Sequence, residues 1–130
     1  MILLDTHVAV WMTMDKRLLS PAAAAAIRDT SRAGEGLAIA SSTLWEIAMR
    51  SAEKEIRLPG TLSEYLHFVE SVFVVLPITG AIAERSTLFT SKFPKDPTDR
   101  LIGATANVHG IRLVTKDKRI RASKQVDCVW

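Results

Sequence analysis

The chain opens with an apolar run that stops abruptly at an acidic residue, and this feature constrains the fold more than any other. Residues 1–4 read Met-Ile-Leu-Leu, Asp5 follows, and helix-compatible residues resume directly after it. A short run without polar alternation is typical of a strand buried on both faces, as in a parallel sheet covered by helices. We therefore expect Asp5 at the carboxyl end of a central strand, the edge where open α/β sheets bind ligands.

Further apolar runs recur along the chain and alternate with helical signals. Strands are predicted at residues 37–40, 73–78, 111–115 and, as a short fifth strand, 125–130. Ser20 before Pro21 predicts a capped helix start, and Thr79 predicts another helix that continues to about residue 90. This alternation predicts right-handed crossovers and a parallel sheet.

Two more helices are indicated by capping patterns. Thr43 with Glu46 three residues later is a capping-box pattern, which predicts a helix that begins there and runs to about residue 55. Asp96 before Pro97 predicts a helix that Gly110 ends in the left-handed conformation. The fold class that follows is α/β, a three-layer α/β/α sandwich around a parallel sheet of four to five strands.

The composition indicates one globular domain over residues 1–130. The chain is 48% hydrophobic and 24% charged, and it has no repeat, low-complexity tract or linker. Its single cysteine, Cys128, excludes an internal disulfide and a multi-cysteine zinc site, and we expect a buried structural thiol. No secretory signal and no run of the ~18 apolar residues needed to span a membrane is visible, so a cytoplasmic protein is expected.

Four acidic residues lie just after a strand or at a helix start beside one: Asp5, Glu46, Asp99 and Asp117. Each has a structural explanation, because a carboxylate at a helix N-terminus contributes roughly 0.5–2 kcal/mol. Together they are expected to converge, since helix N-termini that follow parallel strands share one edge of the sheet. For Asp99 this requires the chain to return to that edge before its helix begins.

Four carboxylates in one cleft would repel one another and raise their pKa values unless a cation neutralised them. Mg²⁺ and Mn²⁺ prefer oxygen ligands and fit such a cluster, whereas zinc prefers histidine and cysteine. Ions of this kind can activate water and stabilise an in-line phosphoryl displacement. The spacing therefore indicates metal-dependent phosphoryl chemistry.

Four segments in order resemble the motifs of the PIN-domain ribonucleases, and within them the VapC-type toxins of bacterial toxin–antitoxin pairs. The segments are Leu4–His7 with Trp11, Ser41–Ala48, Asp96–Ile102 with Ala104, and Leu113–Asp117. The resemblance covers the whole chain and implies a PIN-like fold. The chain departs from the family at residues 54–58, where a Gly-Lys-Leu-like turn is usual, and this puts the fit of substrate or antitoxin in doubt.

The resemblance also implies an activity and a site. A metal-dependent endoribonuclease is expected, with Mg²⁺ or Mn²⁺ held by Asp5, Glu46, Asp99 and Asp117. Thr6 and Thr115 would support these acids, whereas Asp96 is interpreted first as a helix N-cap. RNA is the implied substrate, and a cognate antitoxin and a second copy of the chain are the implied partners.

The basic and aromatic residues leave alternatives open. Candidate RNA contacts are Arg100, Lys116, Lys118 and Arg119, although a solvated basic face explains the tract from 112 to 124 equally well. We expect His7 to be a packing or supporting group rather than a general base. The three tryptophans are expected in the core or at a dimer interface rather than as base-stacking platforms; they are Trp11, Trp45 and Trp130.

Three other functions compete with the nuclease. A PIN-like domain could be catalytically inactive or sequestered and only bind RNA or protein. A phospho-receiver module would need an acceptor acid at the end of the third strand, where residues 75–78 read Val-Leu-Pro-Ile. A dehalogenase-like phosphatase would need a second aspartate at the position of His7.

Overall fold

Five short strands form one parallel sheet in the spatial order β3-β2-β1-β4-β5 in the computed structural model, which describes all residues 1–130. The strands are β1 (Ile2–Leu4), β2 (Leu37–Ala40), β3 (Val74–Leu76), β4 (Leu113–Val114) and β5 (Cys128–Val129). Leu3 of β1 pairs with Ala38 on one side and with Leu113 on the other. β1 is therefore central, as its apolar sequence predicts, while β3, β4 and β5 are shorter than predicted.

Seven α-helices and one turn of 3₁₀-helix at Lys16–Leu18 complete the fold. The helices are α1 (Thr6–Met14), α2 (Pro21–Arg32), α3 (Ser41–Ala52), α4 (Leu62–Val72), α5 (Gly80–Ser86), α6 (Pro97–His109) and α7 (Lys118–Ser123). None of them combines the length and the apolar composition needed to cross a membrane.

The sheet separates two hydrophobic cores. Successive strand residues point to opposite faces, so Leu4 and Ile39 pack into one core while Leu3 and Ala38 pack into the other. The buried residues of α1, α2 and α4 belong to the first core, and those of α5, α6 and α7 to the second. Two helical layers around a parallel sheet confirm the predicted α/β/α sandwich.

The predicted caps of three helices are present. The hydroxyl of Ser20 accepts from the backbone N–H of Ala23, and the hydroxyl of Thr79 accepts a bond in the same way at the start of α5. Asp96 caps α6, and Gly110 ends that helix with a left-handed φ of 63°. These local patterns are reliable because each depends only on residues within one helical turn.

The capping box predicted from Thr43 and Glu46 is wrong. α3 begins two residues earlier, at Ser41, after Ala40, which makes no side-chain capping bond. Thr43 and Glu46 therefore lie inside the helix, where both are buried. The hydroxyl of Thr43 lies 3.1 Å from that of Thr6. The pattern identified the helix correctly but assigned to a cap two residues that face the sheet edge.

The segment between α5 and α6 returns the chain to the carboxyl edge of the sheet. α5 ends at Ser86 rather than near residue 90, and an irregular loop follows. Phe89 and Phe93 of this loop are buried and stack with ring centroids 4.0 Å apart. They press on Gly103 of α6, where a Cβ would lie 2.8 Å from the Phe93 ring. This packing fixes where α6 begins.

Candidate active site

All four predicted acids line one cleft at the carboxyl edge of the sheet. The cleft encloses about 400 Å³ and is lined by Asp5, His7, Trp11, Glu46, Arg50, Asp96, Asp99, Lys116 and Asp117. The first acid follows β1, the second lies on α3 after β2, and the last follows β4. Because these parallel strands end at the same edge, residues far apart in sequence meet there.

Asp5 is held by hydrogen bonds to both of its carboxylate oxygens. One oxygen accepts from the backbone N–H of Thr6 at 2.8 Å, and the other accepts from the hydroxyl of Thr115 at 2.7 Å. Burial raises the pKa of Asp5, and these two bonds only partly oppose it. Thr115 also accepts from the backbone N–H of Asp117 at 3.0 Å, so its hydroxyl links two of the acids.

Glu46 is the one acid of the four whose charge is compensated by a salt bridge. Its Oε2 accepts from Arg50 at 2.7 Å and 3.1 Å, and its Oε1 accepts from the hydroxyl of Thr6 at 2.6 Å. Burial lowers the pKa of the Arg50 guanidinium, but the bonds and charge of Glu46 outweigh it and raise that pKa overall. Arg50 also donates to Glu55 at 3.1 Å.

Asp99, in the first turn of α6, has the opposite environment. Its carboxylate accepts no hydrogen bond from another side chain, and no cation lies within salt-bridge distance. Burial, followed by the negative charges of Asp5, Asp96 and the other cleft acids, raises the pKa of Asp99 to about 7. This is the shift that uncompensated carboxylates in a cleft should show.

Two further acids serve as helix caps at the rim. Asp96 accepts from the backbone N–H and the hydroxyl of Thr98, at 2.8 and 2.7 Å, and these bonds lower the pKa of Asp96. Asp117 accepts from the backbone N–H groups of Arg119 and Ile120 through one oxygen only. Its other oxygen remains available, so capping and site roles coexist in the same carboxylate.

Residues 2–124 match the family model described as the PIN domain. The chain belongs to the PIN-domain family. It is 37% identical to Ribonuclease VapC22 of Mycobacterium tuberculosis over 123 residues, which are 95% of this chain and 92% of that protein.

Solved structures have the same fold as this PIN domain at lower sequence identity. The VapBC2 crystal structure from Rickettsia felis, bound to a promoter DNA fragment, has a TM-score of 0.71 at 15% identity and covers 98% of this chain and 97% of that one. A toxin–antitoxin complex from Klebsiella pneumoniae has a TM-score of 0.67 at 22% identity, covering 97% and 95% of the two chains. The predicted PIN-like fold is therefore confirmed.

The donor chemistry of this PIN-domain cleft fits Mg²⁺ or Mn²⁺, with one restriction. No three histidine, cysteine, aspartate or glutamate side chains are positioned to ligate one ion together. Mg²⁺ commonly uses only one or two carboxylates and keeps several waters. Asp99, which has a free carboxylate and excess negative charge around it, suits that mode. The cleft therefore fits a cation bound partly through water rather than an ion enclosed by four carboxylates.

The four basic residues predicted to contact RNA lie in three different environments. Lys116 lines the cleft, with its ammonium 5.4 Å from the centre of the Trp11 ring. Lys118 and Arg119 are exposed on α7 and lie outside the cleft lining. Arg100 donates to the backbone carbonyls of residues 89, 90 and 94. Its guanidinium thus ties the loop before α6 in place, and the RNA contact of Arg100 stays a prediction.

Trp45 and Cys128 are less buried than core residues, and a dimer-interface position for Trp45 stays a prediction. Trp45 is 58% exposed, so it does not lie in the core. Trp11 is half-buried in the cleft wall and contacts His7, whose exposed ring lies 5.7 Å away between centroids. Cys128 is partly rather than fully buried, and burial raises the pKa of its thiol to about 11, so the thiol stays protonated.

Sequence reasoning missed Arg50 and Thr43. The spacing of Glu46 and Arg50 by four residues within a predicted helix was a usable signal, because side chains at this spacing are neighbours on a helix surface. No local signal pointed to Thr43, since its partner Thr6 lies 37 residues away in sequence.

Proposed function

We propose that this PIN domain is a metal-dependent endoribonuclease and the toxin of a toxin–antitoxin pair. The single observation that supports this most is the environment of Asp99. A carboxylate with a pKa of about 7 and no compensating cation, beside four more acids, is an unfavourable arrangement that a divalent cation would relieve. The likeness to Ribonuclease VapC22 supports RNA as the substrate.

The site residues would act as follows. Asp99 and Asp5 are the proposed ligands of Mg²⁺ or Mn²⁺, and Glu46 and Asp117 would contact the ion through bound water. The ion would lower the pKa of a water molecule and offset the charge that develops on the phosphodiester. Thr115 orients the carboxylate of Asp5, and the ammonium of Lys116 is placed to contact a phosphate. No protein nucleophile is required.

The competing functions are weaker. Leu76 ends β3 and Pro77 follows it, so a receiver module would have no acceptor acid at that edge. A catalytically inactive PIN-like domain would have no need to keep all four acids in one cleft at the cost of their mutual repulsion. Sequestration by a partner is compatible with the nuclease, since an antitoxin would act in that way.

The antitoxin is supported by the toxin–antitoxin complexes that share the fold. Trp45 and Met49 are exposed on α3 beside the acidic cleft and offer an apolar surface for such a partner. A homodimer and a cytoplasmic location remain predictions. Light scattering of the purified chain measures the first, and cell fractionation measures the second.

The deciding experiment compares wild-type protein with Asp99→Asn on purified total bacterial RNA. Wild type should cleave with Mg²⁺ or Mn²⁺ and stop with EDTA, leaving 5′-phosphate and 3′-hydroxyl ends. Asp99→Asn should lose at least about 100-fold in rate, because the charge stabilisation supplied by a metal is worth several kcal/mol. The matched control is Asp29→Asn on α2, where the exposed carboxylate lies outside the cleft. Equal cleavage by wild type and Asp99→Asn would refute the proposed site.

Growth of an expressing culture tests the toxin role separately. Induction of the wild-type chain should arrest growth, and induction of Asp99→Asn should not. Arrest by both proteins would indicate toxicity that does not depend on this site.

A further inference from the structure

A second cavity lies beside the acidic cleft and differs from it in charge. It encloses about 560 Å³ and is lined by Arg121, Lys124 and Trp130, among others. The two cavities adjoin through two contacts. Trp130 packs against Trp11 of the acidic cleft with ring centroids 6.0 Å apart, and Arg121 donates to the backbone carbonyl of Lys116 at 3.2 Å.

The charges of the two cations in this second cavity are not neutralised within the protein. Neither Arg121 nor Lys124 has a carboxylate within salt-bridge distance, although Asp127 lines the same cavity. Because both cations line an open cavity and lack a carboxylate partner, they can bind the phosphate of an external ligand.

The wall between the two cavities is aromatic. Trp11 and Trp130 are both half-buried, and the ammonium of Lys116 lies over the Trp11 ring. Aromatic faces next to cations are the arrangement by which proteins bind single-stranded nucleic acids, since bases stack on the rings and phosphates meet the charges.

We propose that single-stranded RNA runs from the acidic cleft across Trp11 and Trp130 into the cavity of Arg121 and Lys124. A base next to the scissile phosphate stacks on the tryptophan pair, and a neighbouring phosphate is bound by the two cations. The inference rests on the proposed nuclease function and assigns the path of its substrate beyond the acidic cleft. A duplex does not fit, because its bases are stacked inside the helix and cannot reach the rings.

The test measures RNA binding without cleavage, in the Asp99→Asn background with Mg²⁺ present. The probe is a fluorescein-labelled oligouridylate of about ten nucleotides, a length within the range that one binding module covers. Trp11→Leu should weaken binding about 5- to 100-fold, and Trp11→Phe should recover most of that loss, because a phenyl ring still stacks. The same oligomer paired with its complement should bind more weakly than the single strand.

Two charge variants test the second cavity. Arg121→Gln and Lys124→Asn should each reduce the slope of log affinity against log salt by about 0.7, which is the value for one phosphate contact on a single strand. Asparagine suits position 124 because this residue has a left-handed φ of 59°. Arg32→Gln, at the exposed end of α2, is the matched control and should leave affinity and slope unchanged.

The outcomes separate this inference from the nuclease proposal. Wild-type cleavage of the oligomer with KM unchanged by Arg121→Gln and Trp11→Leu would overturn the RNA path and leave the nuclease intact. Salt-dependent binding that all three variants weaken, without cleavage by wild type, would support the path and refute the nuclease. No binding by the Asp99→Asn protein, or equal binding by all variants with circular dichroism showing folded protein, would overturn the path.

Discussion

The two sides of the acidic cleft differ in whether the charge of their carboxylate is neutralised by the protein. On the α3 side, Glu46 is compensated within the protein by Arg50 and by the hydroxyl of Thr6. On the α6 side, Asp99 has no partner, and its pKa rises to about 7. The comparison indicates that the carboxylate of Glu46 is neutralised before any cation binds. The carboxylate of Asp99 is neutralised only when a proton or a metal cation binds.

Removing the salt bridge between Arg50 and Glu46 should have the largest effect on stability. In Arg50→Met, Glu46 becomes a buried carboxylate without a cation, and we expect a loss of about 2–4 kcal/mol in the free energy of unfolding at pH 8. Urea denaturation measures it. The double variant Arg50→Met with Glu46→Gln should recover most of the loss, because the unpaired charge is then removed.

A small loss in Arg50→Met that Glu46→Gln does not relieve would contradict the assignment of Arg50 as the compensating charge. Arg28→Met is the matched control. Arg28 is exposed on α2 and lies 3.8 Å from Asp29, so its removal should cost well under 1 kcal/mol.

Neutralising the uncompensated side should instead stabilise the metal-free protein. The pKa of Asp99 rises from 3.8 in the unfolded chain to about 7 in the fold, so the folded state binds more protons between these values. Stability attributable to Asp99 therefore falls as pH rises from about 4 to 7. In EDTA, Asp99→Asn should be more stable than wild type by about 1–3 kcal/mol at pH 8, and nearly equal to it near pH 4.

Urea titrations at several pH values measure this difference, and Asp29→Asn serves as the control because its carboxylate is exposed. A gain that is the same at every pH would show that the effect comes from packing rather than from the charge of Asp99.

Mg²⁺ bound at Asp99 should neutralise the α6 side of the cleft as Arg50 neutralises the α3 side. Mg²⁺ that binds only the folded state stabilises it by mass action, by about 1–3 kcal/mol when its concentration is well above the dissociation constant. Thermal unfolding in millimolar Mg²⁺ should show a higher Tm for wild type and a much smaller shift for Asp99→Asn. Equal shifts for both proteins would place the cation elsewhere.

The same contrast explains which parts of the molecule the sequence could predict. Asp5 was placed correctly because an apolar run ending in an acid is a local signal for the edge of a buried strand. The position of Asp99 required long-range packing. Phe89 and Phe93 must stack against Gly103 before α6 can start at the carboxyl edge, and nothing in the local sequence specifies that path.

Short sequence patterns gave a wrong prediction where the same residue type occurs both in helix caps and in the cleft. Thr43 and Glu46 match a capping box, yet tertiary contacts with Thr6 and Arg50 determine where their side chains lie. Asp117 shows the converse, because it is both the cap of α7 and part of the cleft. Composition alone could not separate Lys116, which lines the cleft, from Arg100, which holds a loop.

The smallest predicted effect concerns the hydroxyl of Thr115, which links Asp5 to Asp117. Thr115→Val keeps the shape but removes the bond to Asp5 and the acceptor for the N–H of Asp117. We expect a loss of about 1–2 kcal/mol in the free energy of unfolding at pH 8, because two hydrogen bonds worth about 0.5–1.5 kcal/mol each are lost. Because the bond to Asp5 lowers the pKa of Asp5, the loss should shrink as pH falls and Asp5 becomes protonated. Thr87→Val is the control, since that exposed hydroxyl only donates to the carbonyl of Glu84. A cost for Thr115→Val that does not change with pH would mean that the hydroxyl supports the backbone of Asp117 rather than the charge of Asp5.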